Sequence, residues 1–194
     1  MADFNKAYNK TMGHEGGYSF DPDDVGGETY KGVARKYHAD WEGWVLIDKK
    51  KQWEDFPDCL RLDDDLNHKV MSFYKKHYWD VHKCDFILDQ LIAEELFDTS
   101  VNMGVRRAGK FLQESLNCLN RNQSSYTDIK VDGYIGTKTL MCVNAYLGQS
   151  NNSYLLKMMN VLQGHHYMEY MKKDPVQEKF AYGWFNRVEI KKNY

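Results

Sequence analysis

The chain has 194 residues, of which 28% are charged, 42% hydrophobic and 14% aromatic. This balance excludes disordered, collagen-like and coiled-coil proteins, and a chain of this length can bury roughly 70% of its unfolded surface. No apolar run approaches the ~18 residues of a membrane span, so we expect none. Only three residues are proline, which leaves room for long helices and favours a mainly α protein.

The net charge of −2 conceals opposite charges in the two halves of the chain. Residues 1–100 carry 13 Lys/Arg and 21 Asp/Glu, whereas residues 101–194 carry 13 and 7. Two modules or the two walls of one cleft would both give this asymmetry. The basic cluster of Arg106, Arg107 and Lys110 is weak evidence for an anionic partner, because a solvated helix face is its ordinary interpretation. The net charge argues against a nucleic-acid partner.

The N-terminus and the cysteines bear on the cellular compartment. Residues 1–6 are too polar for a secretory signal, which needs about 7–15 apolar residues, so we expect synthesis in the cytoplasm without a signal peptide. The four cysteines are widely spaced and form no C-x-x-C pair. We therefore expect buried, reduced thiols rather than a disulfide scaffold.

The first predicted elements are a helix and a glycine-rich segment. Residues 3–12 place Phe4, Ala7 and Tyr8 on one helical face, and a glycine at 13 or 16–17 would end that helix. Residues 16–29 contain four Gly, one Pro and three Asp, a composition that predicts a loop or a short hairpin.

The next segment gives a weaker pattern. Residues 32–38 could form one or two helical turns, and residues 40–57 have no clear period. We interpret Trp41, Trp44 and Trp53 as packing residues there.

A clear amphipathic helix follows the triplet at 63–65. The triplet consists of three aspartates, which can cap the helix and suit its positive end; we prefer this to a metal site. The apolar stripe that follows is Leu66, Val70, Phe73, His77 and Val81.

The second half is predicted to be almost entirely helical. Residues 87–101, 105–119 and 151–171 have helical patterns, and residues 183–194 form an aromatic and basic tail. Residues 120–128 are a polar linker, Asp132-Gly133 is a tight turn, and Thr137 is placed to cap a helix that runs to about residue 147. The total is about seven helices, with a small irregular or β element near residues 16–30.

Glu15 is the best candidate for acid–base chemistry. In the last turn of a helix its carboxylate would face the negative dipole end and unpaired carbonyls, and burial would raise its pKa further. A glutamic acid protonated near neutral pH is the acid that glycosidic cleavage requires. The second carboxylate could be Asp21, Asp23 or Asp24. The alternative is a surface glutamate followed by a plain turn.

The same segment does not fit a metal site. His14-Glu15 begins like the zinc motif H-E-x-x-H, but residue 18 is Tyr. Asp21 and Asp23 resemble the start of a calcium loop, yet Val25 and Gly32 occupy ligand positions of such a loop. We therefore predict neither a metal nor a cofactor.

Several motifs, in order, resemble those of glycoside hydrolase family 108, the phage- and prophage-type endolysins. The first group is Glu15-Gly16-Gly17-Tyr18, Asp21-Pro22-Asp23-Asp24, Gly26-Gly27-Glu28-Thr29 and Gly32-Val33. The second half is similar to the family's peptidoglycan-domain segment, through Phe97-Asp98, Val101-Asn102-Met103-Gly104, Phe111-Leu112-Gln113, the run from Asp132 to Thr139, and the run from Gly183 to Val188.

The resemblance implies a mainly α, lysozyme-like fold and an N-acetylmuramidase that cleaves the β-1,4 bond between N-acetylmuramic acid and N-acetylglucosamine. Glu15 matches the family's catalytic glutamate. The spacing of Glu15, Asp24 and Thr29 is similar to that of phage lysozymes, whose second interval is one residue longer. By that analogy Asp24 would orient or deprotonate a water that Thr29 helps to hold.

Three further residues are candidate substrate contacts: Tyr18, Asp21 and Asn102. Tyr18 beside the acid could stack on a sugar or pack in the core. Asn102, at the end of a helix, could cap that helix or reach a substrate acetamide. Asp21 competes with Asp24 for the role of second carboxylate.

We expect residues 1–90 to form the catalytic part and residues 91–194 a helical, peptidoglycan-binding-like part, packed together as one compact unit. The expected partner is the peptidoglycan glycan strand, which the chain would reach through a holin or another export route, and we expect a monomer. The alternatives are a lytic transglycosylase, which leaves an anhydro-sugar, and a non-catalytic peptidoglycan-binding or regulatory protein.

Overall fold

The computed structural model describes residues 1–12, 16–20 and 27–189. These residues form eight α-helices and one three-stranded antiparallel sheet, which confirms the predicted mainly α fold with a small β element. None of the described helices is long and apolar enough to cross a membrane. The helices are α1 (Phe4–Met12), α2 (Gly43–Lys50), α3 (Asp64–Tyr74), α4 (Gln90–Met103), α5 (Val105–Leu119), α6 (Thr137–Gln149), α7 (Ser153–Lys173) and α8 (Ala181–Phe185).

The chain divides into two compact units. One contains residues 8–77, and the other contains residues 1–7 together with the chain from residue 78 onward. We call them the hairpin unit and the helical unit. The predicted boundary at residue 90 and the packing into one compact unit stay predictions.

The sheet lies in the hairpin unit. Its strands are β1 (Tyr18–Phe20), β2 (Glu28–Tyr30) and β3 (Val33–Ala34), in the order β1-β2-β3. The short helix predicted for residues 32–38 is wrong. Lys31 and Gly32 adopt positive φ values of 42° and 77°, which turn the chain so that Val33 pairs with Tyr30 instead of starting a helix.

Helices α2 and α3 complete the hairpin unit. The Asp63 side chain accepts a hydrogen bond from the Leu66 backbone N–H at 2.9 Å, which confirms the predicted cap. Helix α3 ends at Tyr74, although its predicted apolar stripe extends to Val81. The chain beyond Tyr74 continues as a π-helical turn and then a 3₁₀ turn.

The tryptophans predicted to pack in this unit differ in burial. Trp44 is buried as predicted, but Trp53 is 51% exposed.

The helical unit is built around α4, α5 and α7, which pack on one another. Gly104 joins α4 to α5 with a φ of 89°, a conformation that favours glycine. Gly109 of α5 lies against the Asp132-Gly133 turn so closely that an added Cβ would meet the Gly133 carbonyl oxygen at 2.2 Å. The loop between α5 and α6 is thereby held against α5.

Two predictions for this unit need correction. Thr137 is the first residue of α6 and does not cap it, because Gly136 occupies the N-cap position. The cysteines are free thiols, but only Cys84 and Cys142 are buried, whereas Cys118 is exposed and Cys59 is intermediate.

Candidate functional site

The candidate catalytic residues flank or lie on the β1–β2 hairpin. Glu15 precedes β1 by three positions, and Asp21 and Asp24 fall between β1 and β2 in the sequence. All three acids lie outside the described residues, so their roles stay predictions. Tyr18 begins β1, and Thr29 is the central residue of β2.

The hairpin places Tyr18 and Thr29 on opposite faces. Tyr18 pairs with Tyr30 across the strands, and Ser19 pairs with Thr29, while successive side chains of a strand point to opposite faces. The first face is the inner one, since Tyr30 is fully buried and its hydroxyl donates to the Leu60 carbonyl at 3.0 Å. The second face carries Ser19, Thr29 and Ala34, small side chains that remain exposed or half-exposed.

Tyr18 belongs to the inner face of the hairpin. Its ring meets the Phe56 ring edge-on, with centroids 4.7 Å apart. Its hydroxyl lies on the same side of the hairpin as the Glu28 carboxylate and feels the charge of that group. Burial, followed by the Glu28 charge, raises the pKa of Tyr18 above its ordinary value. The phenol therefore stays neutral and acts as a hydrogen-bond donor at neutral pH.

Glu28 is the centre of a charge network that the sequence did not reveal. Its carboxylate lies 2.9 Å from the Arg35 guanidinium and 2.8 Å from the Lys51 ammonium. Asp48 of α2 accepts two hydrogen bonds from Arg35, at 2.7 and 2.6 Å, and also contacts Lys51 at 3.0 Å. The network ties β2 to α2 and to the residues after β3.

The network keeps its carboxylates ionised. Burial alone would raise the pKa of Glu28, whose side chain is only 10% exposed, but hydrogen bonds from Lys51 and Arg35 outweigh it and the pKa lies below its ordinary value. The Arg35 guanidinium likewise holds the pKa of Asp48 far below its usual range. Neither acid is suited to donate a proton, so this network supports the hairpin and leaves acid catalysis to another group.

A second candidate feature is a cavity of about 360 Å³ within the helical unit. Gly104 places the end of α4 and the start of α5 at one corner of it, and α7 and α8 supply the aromatic residues. The described residues that line it are Asn102, Met103, Arg107, His166, Tyr167, Tyr170 and Trp184.

Asn102, predicted as a cap or a substrate contact, lies at this cavity. Its side-chain amide donates to the Asp98 backbone carbonyl at 2.8 Å, one turn back in the same helix. The predicted capping role is wrong, because Gly104 occupies the C-cap position of α4. Asn102 is in the helical unit, whereas Tyr18 and Thr29 are in the hairpin unit. A substrate role for any of the three stays a prediction.

His166 lines the same cavity as a neutral imidazole. Burial is the largest cause of its lowered pKa, and the charges of Arg107 and Lys173 lower it further. His165 is exposed, so the two adjacent histidines do not share an environment. Among the described residues, no group of three His, Cys, Asp or Glu could hold a metal ion.

Sequence reasoning missed most of these residues because their partners are distant in the chain. Glu28 appeared only as a variable position in a glycine-rich motif, and Arg107 only as one member of a basic helix face. The one available signal was the excess of positive charge in residues 101–194.

Comparison with known proteins identifies the kind of molecule that carries these features: a glycoside hydrolase joined to a peptidoglycan domain. The model of Glycosyl hydrolase 108 matches residues 8–104, and the model described as "Predicted Peptidoglycan domain" matches residues 107–189. The chain belongs to the Glycosyl hydrolase 108 family.

A solved structure shows a similar fold. The structure titled "Structure of Brucella abortus SagA" aligns with a TM-score of 0.63 and 24% identity, covering 95% of this chain and 88% of that chain. No curated protein matches the sequence. The two family matches support a peptidoglycan hydrolase.

Proposed function

We propose that the protein is an N-acetylmuramidase that hydrolyses the β-1,4 bond between N-acetylmuramic acid and N-acetylglucosamine, with Glu15 as the general acid. The observation that carries this proposal is the match of residues 8–104 to a glycoside hydrolase family, directly followed by a peptidoglycan domain. The matched segment contains Glu15, the glycine-bounded aspartates and the hairpin.

The described hairpin can support this chemistry in two ways. Its outer face offers the hydroxyl groups of Ser19 and Thr29 beside small side chains, which leave space for a sugar ring or a bound water. Its inner face is fixed by Tyr18 and the Glu28 network. A rigid support is needed because misplacing a reacting group by about 1 Å can lower a rate roughly a hundredfold.

In the proposed reaction Glu15 protonates the glycosidic oxygen as the bond to the anomeric carbon breaks. Asp24 stabilises the positive charge that develops on the sugar or activates the water that attacks it, and Thr29 helps to hold that water. Asp21 is the competing second carboxylate. A separation of roughly 6.5–9.5 Å between the two carboxyl groups would give inversion, and about 5–5.5 Å would give retention.

The decisive variant is Glu15→Gln, which keeps the size of the side chain and removes its acid. We expect the release of muropeptides from purified peptidoglycan to fall about 100- to 10,000-fold, the usual contribution of a general acid. Glu54→Gln is the matched control, because Glu54 is an exposed glutamate of the same unit. Undiminished activity of Glu15→Gln would overturn the proposal.

Product mass separates hydrolysis from the transglycosylase alternative. A hydrolase adds one water to each cleaved bond, whereas a lytic transglycosylase leaves an anhydro-muramic end without adding water. A protein that sediments with peptidoglycan and releases neither reducing ends nor anhydro-muropeptides would instead be a binding or regulatory protein. The proposed substrate lies outside the cytoplasmic membrane, so the proposal includes passage through a holin or another export route.

A further inference from the structure

The cavity of the helical unit has the size and the lining of a small-ligand site. Its volume of about 360 Å³ lies at the lower end of the roughly 300–1,000 Å³ that is typical of such sites. Aromatic rings form one part of its wall and polar groups the other. This volume suits a single sugar or a short peptide rather than a whole glycan strand.

Arg107 brings to the cavity a positive charge that forms no ion pair with the described residues. Its guanidinium donates one hydrogen bond, to the Met103 carbonyl at 3.1 Å, and no carboxylate among the described residues lies within salt-bridge distance. Two acids of the adjoining helices α4 and α7 already form ion pairs with other cations: Asp98 binds Arg187 at 2.7 Å, and Glu169 binds Lys172 at 2.8 Å. A guanidinium has five N–H donors in a planar fork that matches a carboxylate, so most of its donors remain for a ligand.

The aromatic wall is centred on Trp184. Its ring stacks on Tyr167 with centroids 5.0 Å apart and an interplanar angle of 15°. Tyr170 and Phe180 contact it at 5.9 and 5.8 Å. Trp184 is nevertheless only half-buried and Tyr170 is 45% exposed. Their mutual contacts hold these rings in place, and the rings still present apolar surface to the cavity. A wall that packs against a sugar ring or an acyl group needs both properties.

We propose that this cavity binds a carboxylate-bearing unit of peptidoglycan, with the carboxylate on Arg107 and the ring or alkyl part against Trp184 and Tyr170. The choice of peptidoglycan as the polymer rests on the proposed function. The positive charge of Arg107 beside the aromatic rings favours a carboxylate-bearing unit of that polymer, since N-acetylglucosamine has no carboxylate for Arg107 to bind. Asn102 and His166 supply neutral polar groups beside the guanidinium.

Peptidoglycan offers this chemistry from two sources. One is the lactyl carboxylate of N-acetylmuramic acid, which is free where the stem peptide has been removed. The other is a carboxylate of the stem peptide itself. Both present a planar acid beside a bulkier group, and the experiment separates them.

The test is a nuclear magnetic resonance titration of the full-length, ¹⁵N-labelled protein. The chain has five tryptophans, so it gives a small set of indole N–H signals, and Trp184→Phe assigns that of Trp184. The probes are N-acetylmuramic acid, N-acetylglucosamine, the stem dipeptide of L-alanine and γ-linked D-glutamate, and inorganic phosphate.

We expect N-acetylmuramic acid or the dipeptide to shift the Trp184 signal, with the tighter of the two identifying the source of the carboxylate. N-acetylglucosamine should bind at least about tenfold more weakly. Arg107→Gln should weaken binding of the acidic probe about tenfold or more, as the loss of a charged hydrogen bond does. Arg107→Lys, which keeps the charge without the fork, should fall between. Lys157→Gln, a matched loss of charge at an exposed position of α7, should change nothing.

Three results would overturn the inference: equal shifts with N-acetylglucosamine, unchanged affinity in Arg107→Gln, or phosphate binding as tightly as the carboxylate probes. The single-unit probes contain no bond for the enzyme to cut. Binding at Trp184 by a protein that hydrolyses nothing would therefore refute the proposed function alone. If the enzyme is active but no probe shifts its Trp184 signal, only the cavity assignment is refuted.

Discussion

Replacing Glu28 by glutamine removes one negative charge from the hairpin network and keeps the size of the side chain. The carboxylate is 10% exposed and contacts two cations, of which Arg35 is 32% and Lys51 38% exposed. Breaking a fully buried ion pair costs about 3–5 kcal/mol, and an exposed pair contributes about 0.2–1 kcal/mol. Both cations keep Asp48 as a partner, so we expect a loss of about 2 kcal/mol at neutral pH.

The loss should depend on pH in a defined direction. The pKa of Glu28 in the folded protein lies below its ordinary value of 4.5. A carboxylate of this kind stabilises the fold above its unfolded pKa, and the contribution disappears as the pH falls through its folded pKa. Glutamine imitates the protonated acid. The difference between the two proteins should therefore be largest at neutral pH, shrink below about pH 5 and vanish under more acidic conditions.

Urea unfolding across this pH range, followed by tryptophan fluorescence, measures both the loss of unfolding free energy and its dependence on pH. A loss of about 2 kcal/mol corresponds to a fall of roughly 4–8 °C in the melting temperature of a chain of this size. Glu42→Gln is the matched control: Glu42 also forms an ion pair, with Lys69 at 2.6 Å, but is 81% exposed, so its loss should be much smaller. Equal losses of unfolding free energy in the two variants, or a loss in Glu28→Gln that does not change with pH, would refute this reasoning.

Two stability predictions concern the loop held against α5. Gly109→Ala should lower the free energy of unfolding by about 3 kcal/mol, because the new Cβ meets the Gly133 carbonyl and overpacking costs about 1–3 kcal/mol or more; Gly148→Ala, which has open space, is the control and should melt no lower than the parent. Gln113→Leu should cost about 2 kcal/mol in a denaturant titration, since the buried Gly133 N–H that donates to Gln113 at 2.7 Å loses its acceptor. Wild-type stability in either variant would contradict the packing or the hydrogen bond, respectively.

The elements predicted best from the sequence are those fixed by local rules. The cap at Asp63 depends on a side chain and a backbone N–H three residues apart, and the helix over 105–119 follows from its apolar period; the structure has both. Strand β3 escaped prediction because its two residues are selected by pairing with β2 after the turn at Lys31 and Gly32. Local propensity does not contain that information.

The candidate site also combines features that local sequence predicts with features that only the tertiary fold reveals. Tyr18 and Thr29 could be located from a contiguous motif, but the face that each occupies became visible only from the strand register. The Glu28 network joins residues from three segments, and the cavity around Arg107 joins residues from four helices. Contacts between distant segments depend on the tertiary fold, so no single-sequence pattern could have predicted them.

The central claim is that the carboxyl group of Glu15 delivers the proton that cleaves the glycan. The most direct measurement is the initial rate of reducing-end release from purified peptidoglycan by Glu15→Gln, beside the Glu54→Gln control and with circular dichroism to establish that both are folded. The account predicts a folded Glu15→Gln protein with at least about a hundredfold lower rate, and a control with the parental rate. A folded Glu15→Gln protein that releases reducing ends as fast as the control would contradict it.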